Sequence, residues 1–165
     1  MKLFFLLIVL PVLSFSQTVH VDDDEVEYKG EEKVSGVSGS EISSRLATVL
    51  SSLDLKGIEL VKNSTDGETY TGKIRLTTPY EIIRAMSFKM KLESSEGKYS
   101  YKIDNVQLSE RLRGEEAKKT SSEDMIDTLE EAGKTASEME KILNEFDMRI
   151  QQLLVFIRKG VSAQR

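Results

Sequence analysis

The chain has no cysteine, one histidine and two prolines in 165 residues. Without cysteine there is no disulfide, no thiolate metal site, no cysteine nucleophile and no lipid-bearing cysteine after a lipoprotein signal. Stability must come from packing. The one histidine, His20, stands close to the start, so a histidine-based triad or a multi-histidine metal site is hard to assemble within one chain. No cofactor, no metal site and no catalytic residues are expected. Long apolar runs are also missing: the one candidate, Leu3 to Leu13, falls well short of the ~20 residues that cross a bilayer.

That run follows Met1-Lys2 and precedes Ser14-Phe15-Ser16, which places small residues where a signal peptidase inspects the chain. Residues 1–16 therefore have the three-part form of a secretory signal peptide, with an uncleaved anchor as the alternative. Cleavage after Ser16 would start the mature chain at Gln17, with no stable membrane anchor, in the periplasm or outside the cell. Only Lys2 among the charged residues would go, making the product one unit more acidic than the −5 of the whole chain. An acidic exported protein is a poor nucleic-acid binder.

Residues 17–25 hold Asp22-Asp23-Asp24-Glu25, which lacks the glycine and closing glutamate of a calcium loop and is expected to be a flexible acidic leader. From Val26 through Tyr28 to Val34 the pattern predicts a first strand. Gly36 and Gly39 break it, and Ser38 or Ser40 is placed to cap a helix carrying Ile42, Leu46, Val49, Leu50 and Leu53. Ile58 to Lys62 then predicts a short strand, and Asp66-Gly67 a hairpin turn. The neighbouring Asn63-Ser64-Thr65 matches a glycosylation acceptor too short to carry weight.

The next strand points Tyr70, Gly72, Ile74 and Leu76 to one side and Thr69, Thr71, Lys73, Arg75 and Thr77 to the other. Thr78 to Arg84, with Pro79, Tyr80, Ile82 and Ile83, is expected to be a loop or helical turn against the core. Met86, Phe88, Met90 and Leu92 alternate with polar residues, as do Tyr99, Tyr101 and Ile103 after the turn at Gly97. Parity then changes, because Val106 and Leu108 come next. One extra residue at Asp104-Asn105 restores a single buried face, and a β-bulge is predicted there. The charged stretch from Glu110 to Thr120 is expected to cross from sheet to helix.

The final stretch has the most regular pattern. Leu129, Ala132, Ala136, Met139, Leu143, Phe146, Ile150, Leu153 and Ile157 recur at steps of three and four, with charged residues between them. A long amphipathic helix over residues 121–159 follows, capped by Thr120 with Glu123. It is either continuous or divided near Gly133, with Thr135 and Glu138 as a second start. Unbroken, it would run ~57 Å, against ~30 Å for a strand of nine residues, so a kink or an overhanging first part is expected. Gly160 is expected to close it, leaving 160–165 as a frayed tail.

Strands apolar on one side only, with helices apolar on one stripe, specify an α+β domain over 26–159. It is a curved antiparallel sheet of about five strands with two helices on one face. The strand from Val26 to Val34, the helix start Gly39-Ser40-Glu41-Ile42, the strands Tyr70-Thr71-Gly72-Lys73-Ile74 and Gly97-Lys98-Tyr99-Ser100-Tyr101-Lys102-Ile103, and the terminal amphipathic helix fit one family pattern. Together with the signal peptide, they resemble an exported bacterial family of unknown function with a TATA-binding-protein-like fold. The resemblance covers Val26 to about Ile157. It implies a curved-sheet fold and a cell-envelope setting, and carries over no catalytic or binding residues.

Two surfaces remain as functional candidates. The outward sheet face collects Lys73, Arg75, Lys89, Lys91 and Lys102 against Glu93 and Asp104. It either binds an anionic partner, such as an envelope glycan or an acidic protein segment, or simply solvates an exposed sheet. Nucleic acid is disfavoured because this face lacks aromatic stacking platforms. The long helix would alternatively drive self-association, but Ile142, Leu154, Val155 and Phe156 widen its stripe beyond a coiled-coil seam, which favours core packing and a monomer. Carboxylate pairs such as Glu130-Glu131 and Glu138-Glu145 read as helix-surface charges, not a positioned acid and base.

Overall fold

The chain is described by a computed structural model that covers residues 20–22, 25–63, 68–78, 82–112, 114–130 and 134–163. The expected signal peptide, the Asp66-Gly67 turn, most of the glycosylation acceptor, Pro79, Tyr80 and Gly133 lie outside these residues. In chain order the elements are β1 (His20–Asp22), β2 (Glu25–Lys33), α1 (Gly39–Ser51), β3 (Ile58–Lys62), β4 (Thr69–Arg75), β5 (Ile82–Ser95), β6 (Lys98–Leu112), β7 (Lys118–Ser121), α2 (Ser122–Glu130) and α3 (Lys134–Ala163).

The strands form one antiparallel seven-stranded sheet in the order β1-β2-β6-β5-β4-β3, with β7 also on β6. Strand β6 is the axis. One edge pairs with β5 along nearly its whole length, while the other holds β2 against residues 98–103 and β7 against residues 107–110. The five expected strands are all present; β1 and β7 are additional. Strand β1 lies in the stretch expected to be a flexible leader, and β7 in the expected crossing segment. Both are short and polar, so neither shows the alternation that marks a half-buried strand. Strand β5 also begins earlier than its pattern implied, taking in Ile82, Ile83 and Arg84, which were expected in a loop.

One face of the sheet builds the core. Met86, Phe88, Met90 and Leu92 of β5 and Tyr99, Tyr101, Ile103, Val106 and Leu108 of β6 are all buried. The bulge stands where the parity change demanded it. Ser87 pairs with Gln107 and Lys89 with Asp104, leaving Asn105 and Val106 together opposite Phe88. Asn105 takes the left-handed conformation, φ 51°, which asparagine tolerates better than most residues.

The helices cover that same face. Ser38 caps α1, its hydroxyl accepting from the Glu41 N–H at 3.3 Å, and Ile42, Leu46, Val49 and Leu50 are buried. On α3, Phe146 sets its ring edge-on between Tyr28 and Phe88, with centroids 6.1 and 6.0 Å away. Ile150, Leu153 and Ile157 follow it into the core, each worth roughly 1.5 to 3 kcal/mol of gross burial. Burial, reinforced by the nearby Asp147 carboxylate, raises the Tyr28 phenol above its ordinary value and keeps it protonated.

The last stretch contains helices α2 and α3, and residues 131–133, on which the choice between a continuous and a divided helix turns, lie outside those described. Helix α2 starts one residue later than Thr120 and Glu123 implied: Ser121 Oγ accepts from the Asp124 N–H at 3.2 Å, and the Asp124 carboxylate accepts from the Ser121 N–H and hydroxyl. Helix α3 does not stop at Gly160. It runs to Ala163 and buries Val161 completely, so the expected frayed tail is largely helix. Gly160 is there because α1 is close: a β-carbon at 160 would lie 2.6 Å from a methyl of Val49.

Candidate functional site

With the helices on one side, the other side of the sheet is open, and the register decides which side chains meet on it. Lys73 lies between Glu59 and Ser87, Lys89 between Thr71 and Asp104, and Lys91 between Thr69 and Lys102. All five predicted cations, Lys73, Arg75, Lys89, Lys91 and Lys102, are exposed on this one face. The pairing is what composition alone did not convey. Arg75 holds Glu59 at 2.7 Å, Lys91 holds Glu93 at 2.5 Å, and Lys102 bridges Glu27 at 2.8 Å and Asp104 at 3.2 Å. Lys29 meets the other oxygen of Glu27 at 3.1 Å.

The face is therefore a lattice of ion pairs at its centre and not a bare positive field. Hydrogen bonds from Lys102 and then Lys29 hold the Glu27 carboxyl below the ordinary carboxylate range, while Glu27 and Asp104 raise Lys102 above the usual lysine value. Among the described residues, Lys73 and Lys89 have no carboxylate within ion-pair distance. Glu27 was missing from the sequence-based count of countercharges, although its place between the inward Val26 and Tyr28 put it on this face.

At one end of the open face lies a hollow of about 510 Å³. Ile83 and Ala85 of β5 form its floor, and Lys73, Arg75, Ser109 and Arg111 stand around it. Arg111 escaped the sequence reading because Glu110 to Thr120 was assigned to a crossing segment; in fact β6 continues to Leu112.

A second hollow of about 480 Å³ sits on the helix side, where α3 passes the ends of β4 and β5. Its charged groups hold the helix to the sheet. Arg84, only 11% exposed, pairs with Glu110 and reaches Glu138 of α3 at 2.6 Å. Burial works against its charge, but the bonds to Glu138 and Glu110 outweigh it, so the guanidinium pKa is raised further. Glu145 accepts from the Thr77 N–H at 3.1 Å and from its hydroxyl at 3.0 Å. Glu138 and Glu145, expected to be plain surface charges, instead tie α3 to the sheet. Among the described residues no three histidine, cysteine, aspartate or glutamate side chains converge as a metal site, and no helix is long and apolar enough to cross a membrane.

No protein-family model matches the chain, and no curated protein matches its sequence. Solved structures do match. A TBP-like protein from Parabacteroides distasonis ATCC 8503 superposes with a TM-score of 0.62 at 14% identity, covering 87% of this chain and 96% of that one. A DUF4468 family protein from Bacteroides ovatus ATCC 8483 gives 0.53 at 15% identity, covering 84% and 90%. The open antiparallel sheet with its helices on one face is thus the TATA-binding-protein-like fold that the sequence resemblance implied.

Proposed function

We propose that the protein is an exported, non-enzymatic binding module of the cell envelope, and that it engages an anionic partner through the open face of its sheet. The observation that carries this is the uncovered polar face, on which, among the described residues, Lys73 and Lys89 have no carboxylate within ion-pair distance. Export follows from the form of residues 1–16. The partner class is an envelope glycan bearing carboxylate or phosphate, or an acidic protein segment. Nucleic acid fits poorly, because Tyr28, Tyr70, Phe88, Tyr99 and Tyr101 all point into the core and, among the described residues, leave no stacking platform on the open face. Against enzymatic activity stands the employment of the carboxylates of the helix-side hollow, Glu138 and Glu145, in holding Arg84 and Thr77.

The test is capture from an envelope fraction by the wild-type protein and by a Lys73→Glu, Lys89→Glu variant. Loss of the captured material supports the reading; identical capture ends it. Self-association through α3 is the second reading, favoured by a strip of Met148, Val155 and Phe156 on that helix beside Leu55 of the connection from α1 to β3. Its weakness is that Phe146, Ile150, Leu153 and Ile157 are already spent on the protein's own core. Sedimentation of a monomer at high concentration removes it.

A further inference from the structure

We infer that the hollow at the end of the open face is a binding site for a sugar-sized oxyanion, a hexose unit carrying one phosphate or carboxylate. This rests on reading that face as the binding surface and assigns a definite place and ligand class within it.

The register explains the shape. Arg75 of β4, Ala85 of β5 and Ser109 of β6 lie in one row across the sheet, with Ile83 opposite Arg111 in the next. Neighbouring strands are ~4.8 Å apart, so long side chains on β4 and β6 stand ~10 Å apart over a strand whose own residue, Ala85, barely rises. A trough with cationic walls and a short apolar floor results. Its volume of about 510 Å³ falls within the ~300–1,000 Å³ of small-ligand sites.

Charge selects the ligand. Lys73, Arg75 and Arg111 wall the trough and, among the described residues, no carboxylate lines it, on a chain of net charge −5; Arg84, at its margin, carries its guanidinium to Glu138 on the helix side. Arg84 is held by Glu110 and Glu138, and Arg75 by Glu59, but among the described residues Lys73 and Arg111 have no carboxylate partner. A point cation and a guanidinium fork over one hollow form a match for an oxyanion. The Ser109 hydroxyl offers a hydrogen bond to a sugar hydroxyl, and Ile83, 46% exposed, offers apolar surface to the C–H face of a pyranose.

Calorimetric titration of the purified protein with glucose 6-phosphate, glucuronate, inorganic phosphate and glucose tests this. Saturable binding of glucose 6-phosphate or glucuronate, at least about tenfold tighter than glucose or phosphate alone, supports the assignment; which of the two binds better identifies the anion. Arg111→Gln should weaken binding by about tenfold or more, whereas Lys91→Gln, on the same face but outside the hollow, should leave it unchanged. Ala85→Leu should fill the trough and abolish binding. Melting temperature checks that each variant folds, and Arg111→Gln, at an exposed position, keeps the test open should Ala85→Leu unfold. Absence of binding by both anionic sugars overturns the inference, as does equal weakening by Arg111→Gln and Lys91→Gln. Envelope capture that is abolished by Lys89→Glu, without anionic-sugar binding, sinks the hollow alone; absence of both sinks the face as well.

Discussion

Gly72 of β4 lies directly beneath the ring of Phe88 of β5, so close that a β-carbon at position 72 would stand 2.0 Å from Phe88 Cζ. The absent side chain is what lets Phe88 lean over β4 and meet Phe146 edge-on at 6.0 Å. Gly72→Ala must push Phe88 out of that contact. Overpacking of this kind costs about 1–3 kcal/mol. In urea unfolding, the midpoint should fall with an unchanged slope.

Gly160 offers a sharper test, because the usual rule has the opposite sign. Glycine inside a helix is ordinarily worse than alanine by about 0.5–1 kcal/mol. Here a β-carbon would meet both methyls of Val49, at 2.6 and 2.8 Å, on a stiff branched side chain. Gly160→Ala should therefore destabilise, and the companion change Val49→Ala should lessen that penalty in a double-mutant cycle.

The start of α2 separates two neighbouring hydroxyls. Ser121 shares reciprocal bonds with Asp124, so Ser121→Ala should cost about 1 kcal/mol in chemical denaturation. Thr120→Ala should cost much less, since the capping pair lies one position beyond it.

The ion-pair lattice on the open face makes stability depend on pH in a known direction. Glu27 has its folded pKa below the ordinary 4.5, owing first to Lys102 and then to Lys29. Its contribution is fully present above that ordinary value and is lost as pH falls through the lowered one. Glu27→Gln should be less stable than wild type at neutral pH, and the difference should disappear in acid below the ordinary carboxylate range. Salt should shrink it at neutral pH, because both partner lysines are solvated. A carboxyl titration followed by NMR should place Glu27 below the ordinary glutamate value.

These tests bear most on features that periodicity does not encode. The inward residues of β4, β5 and β6 and the Asn105 bulge were legible because a half-buried strand writes its burial into alternation. Phe146, Ile150 and Ile157 were legible for the matching helical reason. Strands β1 and β7 were not, since the sequences of His20–Asp22 and Lys118–Ser121 hold little that is apolar and the strands are held by backbone pairing to a neighbouring edge. The role of Gly160 was hidden because the residue that explains it, Val49, lies far off in the chain. The five basic residues were correctly placed on one face, but Glu59 and Glu27 come from other strands, so their neutralising effect depends on register. Arg111 was missed through an error in where β6 ends.

The position of β6 sets the order in which the molecule can mature. Tyr28 has its backbone partner in Ile103, and Gln107 has its own in Ser121, both along a single margin of that strand. A chain delivered amino end first therefore holds β2 with only the short β1 beside it until β6 arrives, and Tyr28 and Phe88 without a lid until Phe146 follows. Such late, distant pairings slow assembly. The same delay leaves the apolar sides of β4 and β5 bare until the final helix closes over them, so the last segment to be made is the one that completes the interior.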